Sequence, residues 1–199
     1  MDGRIAALVA AGTVVIGAGL AQAQTVDEAL GAYDKGDFAT ALKDLQLLAG
    51  RGSATAEIDL GAMYHDGKGV TQDDTQAVFW FRKAADQGDA DGEYRLGLYD
   101  YAGVGTPQDY AQAVVLLQKS SDQGDASAMG ILAACYDGGH GVPQNYVTAY
   151  MWMSLSLAGL DPSSQAHQAA AQSLANIASH MTPDQIAQTQ ALAAKRGAK

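Results

Sequence analysis

Leu60-Gly61-Ala62-Met63-Tyr64-His65-Asp66-Gly67-Lys68-Gly69-Val70 decides how this chain folds, because its pattern returns twice at a step of 36 residues. One step on stand Leu96-Gly97 and Gly103-Val104-Gly105. A second step gives Leu132-Ala133 and Gly139-His140-Gly141-Val142. The next stretch keeps the register: Gln72-Asp73 becomes Gln108-Asp109 and Gln144-Asn145, and Ala77 becomes Ala113 and Ala149. Trp80 becomes Leu116 and Trp152, and Gln87-Gly88-Asp89 becomes Gln123-Gly124-Asp125. A fixed step without insertion marks a stack of equivalent structural units.

Each unit reads as two helices. Ala56, Leu60, Gly61 and Tyr64 fall on one helical stripe, which predicts a first helix over 54–65. Gly61 and Gly97 inside first helices each cost about 1 kcal/mol relative to Ala, so a neighbouring helix is expected close against them. The Gly67-x-Gly69 turn predicts left-handed backbone, with Val70 tucked towards the core and Thr106 in its place one period later. Asp73 with Gln76, Asp109 with Gln112 and Asn145 with Thr148 predict capping boxes opening the second helices. Ala77, Trp80, Phe81 and Ala84 share a face, Gln87-Gly88 is a stop, and Asp89 and Asp125 cap the next first helices.

These residues resemble the Sel1-like repeat, a relative of the tetratricopeptide repeat. The match is L-G-x-x-Y-x-x-G-x-G-V, then Q-D-Y, then A-x-x-W-[YF]-x-K-A-A, then Q-G-D. Residues 54–89 fit nearly every position. Residues 90–125 lose the aromatic at Leu116, and residues 126–161 depart after Trp152. The resemblance implies an all-α fold: an α-solenoid, wound as a right-handed superhelix of antiparallel helix pairs. It implies nothing about ligand. Thr25 with Glu28, Gly36-Asp37-Phe38 and the stripe Ala41, Leu45, Leu48 predict a tetratricopeptide-like N-terminal pair over 24–53. Asp161-Pro162, with Pro162 as the first helical residue, and Thr182-Pro183-Asp184-Gln185 start two C-terminal capping helices over 162–199. Terminal caps are needed because an open stacking face invites aggregation.

The first 23 residues read as a secretory signal peptide. Arg4 supplies a positive charge, offset by Asp2. Ile5 to Leu20 is almost wholly apolar, and Ala21-Gln22-Ala23 is a small-x-small cleavage pattern. An uncleaved anchor is the alternative. Cleavage predicts a periplasmic or secreted protein with no later membrane span, and no Cys follows the cleavage site to accept a lipid.

Composition narrows function further. Of 199 residues 48% are hydrophobic, enough for a core, and the net charge is −10. That charge repels phosphate backbones and argues against nucleic acid. It fits either a basic partner or plain solubility. The lone Cys135 excludes an internal disulfide and reads as a small buried thiol.

Motifs for chemistry are sparse. Gly67-Lys68-Gly69-Val70-Thr71 lacks the G-K-[ST] ending of a phosphate loop, and the turn recurs with the repeat. His65, His140, His167 and His180 show no zinc spacing, and His65 and His140 read as solvated. No G-x-S-x-G elbow occurs. The expectation is therefore no cofactor, no metal and no catalytic residue. Some cysteine-rich exported members of the family are associated with β-lactam hydrolysis, but their paired cysteines are missing. A cell-wall or β-lactam hydrolase stands as the alternative, and self-assembly as a third reading.

Most aromatics (Tyr64, Phe79, Trp80, Phe81, Tyr136, Tyr146, Tyr150, Trp152) fit core positions. Tyr94, Leu98 and Tyr101 run along the other side of the second repeat's first helix, with Ile58, Ala62 and His65 one period earlier. In tetratricopeptide-like arrays that side lines the concave groove. These six residues are the candidate partner-binding strip, flanked by Asp59, Asp66, Asp91 and Asp137. Packing against the neighbouring repeat is the competing reading. A non-enzymatic scaffold binding an unidentified protein or peptide is the function expected.

Overall fold

The computed structural model describes residues 25–197, so the predicted signal peptide lies outside the described residues. These form ten helices and no strand: α1 (Val26–Asp34), α2 (Phe38–Ala49), α3 (Ala54–Asp66), α4 (Asp74–Asp86), α5 (Ala90–Ala102), α6 (Tyr110–Asp122), α7 (Ala126–Gly138), α8 (Tyr146–Gly159), α9 (Gln165–Ala178) and α10 (Pro183–Gly197). Through α8, each helix packs chiefly on its neighbours in the chain. The first helices α3, α5 and α7 also touch in sequence, whereas α4, α6 and α8 make no comparable contact with one another. The first helices therefore line the inner edge of the solenoid and the second helices its outer edge.

The capping expectations are met, with one difference. Asp73 Oδ1 accepts from the backbone N–H of Gln76 at 3.1 Å, and Asp89 Oδ1 from that of Gly92 at 3.0 Å. The reciprocal half of the box is missing in the repeats. The N–H of Asp73 donates instead to Tyr64 O at 2.9 Å, and Asn145 N–H to Tyr136 O at 2.8 Å, closing the long turn onto the preceding helix. Both halves form at the two helices outside the repeats that carry Thr caps: Thr25 with Glu28, and Thr182 with Gln185.

Close approach accounts for Gly61. A Cβ there would lie 2.4 Å from Cε1 of Phe81, a ring buried in the pair's own core. The turn glycine Gly105 has φ +64°, and a Cβ on it would meet the Asp74 carbonyl oxygen at 2.2 Å. The turn of one repeat thus rests on the second-helix start of the repeat before.

The core is a string of clusters, as expected when each repeat buries itself against the next. One gathers Ala41, Leu45, Leu60 and Met63, a second Ile58, Phe81 and Leu96, a third Leu117, Leu132, Trp152 and Ile177. A polar stitch closes each of the first two repeats on itself: Gln87 donates to Glu57 at 2.6 Å across α3 and α4, and Gln123 to Glu93 at 2.8 Å across α5 and α6.

The C-terminal end departs from the expected start. Pro162 is not helical. Asp161 accepts from the Ser163 backbone and hydroxyl in a local turn, and Ser164 caps a helix that begins at Gln165. Helix α10 then packs on α8 and not substantially on α9. No described helix is long and apolar enough to cross a membrane.

Candidate binding face

The six strip residues divide by burial. Ile58 is only 6% exposed and belongs to the core between α3, α4 and α5. Tyr94 and Tyr101 are half-buried, packing against the cluster centred on α7 and α8. Tyr101 also has fixed partners: its hydroxyl lies 3.0 Å from His140 Nδ1, and its ring meets Tyr110 edge-on at 5.1 Å. His65 is exposed, hydrogen-bonds Asp74 at 2.7 Å and meets the Tyr99 ring at 5.6 Å. Ala62 and Leu98 are half-buried, and Ala134 holds their place one period later.

The structure extends this row to α1. Leu30, Tyr33, Leu45, Asp59, Ala62 and Met63 line a cleft of about 180 Å³. Leu30 and Tyr33 escaped the sequence reading because the α1–α2 turn is shorter than the later ones, which breaks the 36-residue step. Aligning the ends of the first helices, and not the repeat period, brings Leu30 opposite Ala62.

The row is acidic. Burial raises the Tyr33 hydroxyl above its ordinary range, and Asp66, Asp34 and Asp59 add to the effect, so this phenol stays protonated among three carboxylates. Burial also raises the Asp59 carboxyl; Arg95 opposes this and Asp91 reinforces it. Arg95 itself donates to Asp91 at 3.0 Å and lies over the Phe81 ring at 5.6 Å. Asp59 Oδ2 is buried without a hydrogen-bond partner.

Comparison with known proteins fixes the family. A profile for the Sel1 repeat matches residues 54–89, 90–125 and 126–158, more than half of the chain. The chain belongs to the Sel1 repeat family. The crystal structure of c5321, a protective antigen of uropathogenic Escherichia coli strains displaying an SLR fold, superposes with TM-score 0.66 at 30% identity over 71% of this chain. The match spans 32% of c5321, about a third of that protein. A Sel1 repeat protein from Oxalobacter formigenes superposes with TM-score 0.70 at 22% identity, covering 86% of this chain and 70% of the other, and shows the shared fold. No curated protein matches the chain. Sel1 repeats commonly mediate protein interactions and are generally non-catalytic, so the fold is that of an interaction scaffold.

In this Sel1 repeat protein the lone thiol is inaccessible. Cys135 is fully buried, and burial pushes its thiol up to about 11, so the reactive thiolate is scarce at neutral pH. His140 is no solvated side chain: its ring stacks on Tyr110 at 4.8 Å. No group of three or more metal-ligating side chains occurs among the described residues.

A larger cavity, about 1010 Å³, opens on the outer edge between the end of α6, α8 and α10. It lies where the third repeat loses the polar stitch. Met129 and Gly159 stand in place of Glu57 and Gln87, and Leu155 in place of Lys83. Helix α10 walls it on one side. Arg196 lies over Trp152 at 4.3 Å and pairs with Asp122, a cation on the same ring position that Lys83 covers on Trp80.

Proposed function

We propose that this Sel1 repeat protein is a non-enzymatic adaptor of the cell envelope that binds a protein or peptide segment along its inner first-helix face. The observation that carries the reading is the continuous row on that face. Leu30, Ala62, Leu98 and Ala134 are all partly accessible, and Asp34, Asp59, Asp66 and Asp91 flank the row. An apolar row with an acidic rim selects a segment carrying apolar anchors and basic side chains. Rigid first helices hold the row in place before a partner arrives, which lowers the ordering cost of binding. The N-terminal apolar segment supports the envelope location, since a cleaved leader directs export of the mature chain.

The test is selection of random displayed peptides on immobilised chain 24–199. The enriched sequences are expected to combine Lys or Arg with apolar residues. Their binding is expected to fall at least about tenfold in Leu98→Asp, which places a charge on the row, and to be unchanged in Val115→Asp on the outer face. Undiminished binding to folded Leu98→Asp overturns the face assignment. Turnover of nitrocefin or peptidoglycan by the purified chain overturns the non-enzymatic reading.

A further inference from the structure

Resting on that reading, we infer that the cleft between α1 and α3 is a socket for a single cationic side chain, a lysine or arginine of the bound segment, with Asp59 as its counter-charge. Three observations converge. The first is size. About 180 Å³ is below the 300–1,000 Å³ typical of small-molecule pockets. An apolar cavity of about 150 Å³ already accepts benzene, so the cleft holds one side chain and little more.

The second is lining. Leu30, Leu45, Ala62 and Met63 supply apolar walls, and Tyr33 and Asp59 supply the polar groups. That mixture matches a lysine or arginine side chain, which carries an apolar stem and a charged head. The third is the unmet demand of Asp59. Its Oδ2 is buried with no hydrogen bond, a rare and costly condition for a carboxylate. Arg95, the cation acting on it, is held by Asp91 and the Phe81 ring. An ammonium or guanidinium group in the cleft pairs with the Asp59 carboxylate, and a small rotation of that side chain brings the buried Oδ2 to the donor it lacks.

Asp34, Asp66 and Asp91 around the cleft oppose an anion and attract a cation. Asp59 is also specific to this repeat. One period later the position holds Arg95, and two periods later Ile131, so the array presents a single acidic socket at this register.

The test uses side-chain mimics on methyl-labelled chain 24–199, with NMR as the readout. n-Butylammonium and n-butylguanidinium are expected to shift the methyl signals of Leu30, Ala62 and Met63 saturably; butan-1-ol and butyrate are not. Asp59→Asn removes the charge from a desolvated site and keeps the shape, so it is expected to fold. It is expected to weaken the amine response at least about tenfold, about 1.4 kcal/mol. Ala62→Leu keeps the charge, fills the cleft and is expected to abolish the response. An equal response to butan-1-ol, or an undiminished response in folded Asp59→Asn, overturns the socket. If selected peptides lose binding in Leu98→Asp but keep it in Asp59→Asn, the inner-face reading survives and the socket alone is wrong.

Discussion

Individual residues in this molecule are constrained by what their neighbours leave them. Gly61 illustrates the balance. Alanine in its place gains about 1 kcal/mol of helix propensity. Its Cβ, however, meets the Phe81 ring 2.4 Å away, and that ring is itself buried. Overpacking of this kind costs about 1–3 kcal/mol and more where the neighbour cannot move. Gly61→Ala is therefore expected to lower the denaturation midpoint, whereas the same change at Gly31, with no atom near its Cβ position, is expected to be neutral or stabilising.

Four carboxyls, on Glu57, Asp59, Glu93 and Asp100, are raised above their ordinary values, each chiefly by burial. Asp100 shows why: it stands at the place of Tyr64 and Tyr136, is 3% exposed, and leaves Oδ2 without a partner. The sign comes from linkage. The folded chain holds these protons more tightly than the unfolded chain, so stability falls as pH rises through the raised values and is recovered in full below the unfolded ones. The exposed caps Asp37 and Asp161 have the opposite sign, since backbone and side-chain hydrogen bonds hold them low, and they lose their contribution only in stronger acid. The urea midpoint is expected to rise between about pH 7 and about pH 5, and Asp100→Asn to flatten that rise. A midpoint that falls over this interval contradicts the assignment.

At the scale of helices, the first two repeats each close with a Glu–Gln bond that the third lacks, and there the C-terminal cap takes over. Glu57–Gln87 and Glu93–Gln123 have no counterpart at Met129 and Gly159. Arg196, from the far end of α10, lies over Trp152 as Lys83 lies over Trp80. Exposed cation–π contacts of this kind contribute about 0.5–1 kcal/mol, and the Asp122 pair adds little at the surface. Arg196→Ala is expected to destabilise by about 1 kcal/mol and to alter Trp152 fluorescence before global unfolding, as the end of α10 frays. Identical pre-transition fluorescence in the variant contradicts a docked α10.

Helix boundaries were legible in the sequence wherever a turn has its own chemistry. The paired glycines, the Asp caps and the Gln-Gly stops place α3 to α7 within a residue or so. They failed at Pro162, because a proline after Asp signals a helix start only if nothing nearer caps it, and Ser164 does. The course of α10 across α8 was not legible either. It depends on which neighbour buries Thr189 and Ala193, and no local pattern encodes that choice.

Across the whole molecule, the period determines the scaffold, and its exceptions make the surfaces. Strip residues read from spacing alone turned out to differ in availability. Ile58 is core and Tyr101 is tied to His140, while Ala62 and Leu98 keep an accessible edge. Spacing puts a residue on a side of a helix; it does not say whether the next helix covers that side. Phe79 makes the converse point: expected in the core, it lies between the patterned positions Ala77 and Trp80 and is 47% exposed on the outer edge. The molecule thus offers two faces: an acidic inner row ending in the Asp59 cleft, and an outer cavity beside α10.

Hydrogen–deuterium exchange with a selected basic peptide separates these faces most directly. Binding on the inner face predicts added protection in α1, α3 and α5, over residues 26–34, 54–66 and 90–102, with α6 and α8 unchanged. Protection confined to residues 110–122, 146–159 and 183–197, with α3 and α5 unaltered, contradicts the account and moves the partner to the outer cavity.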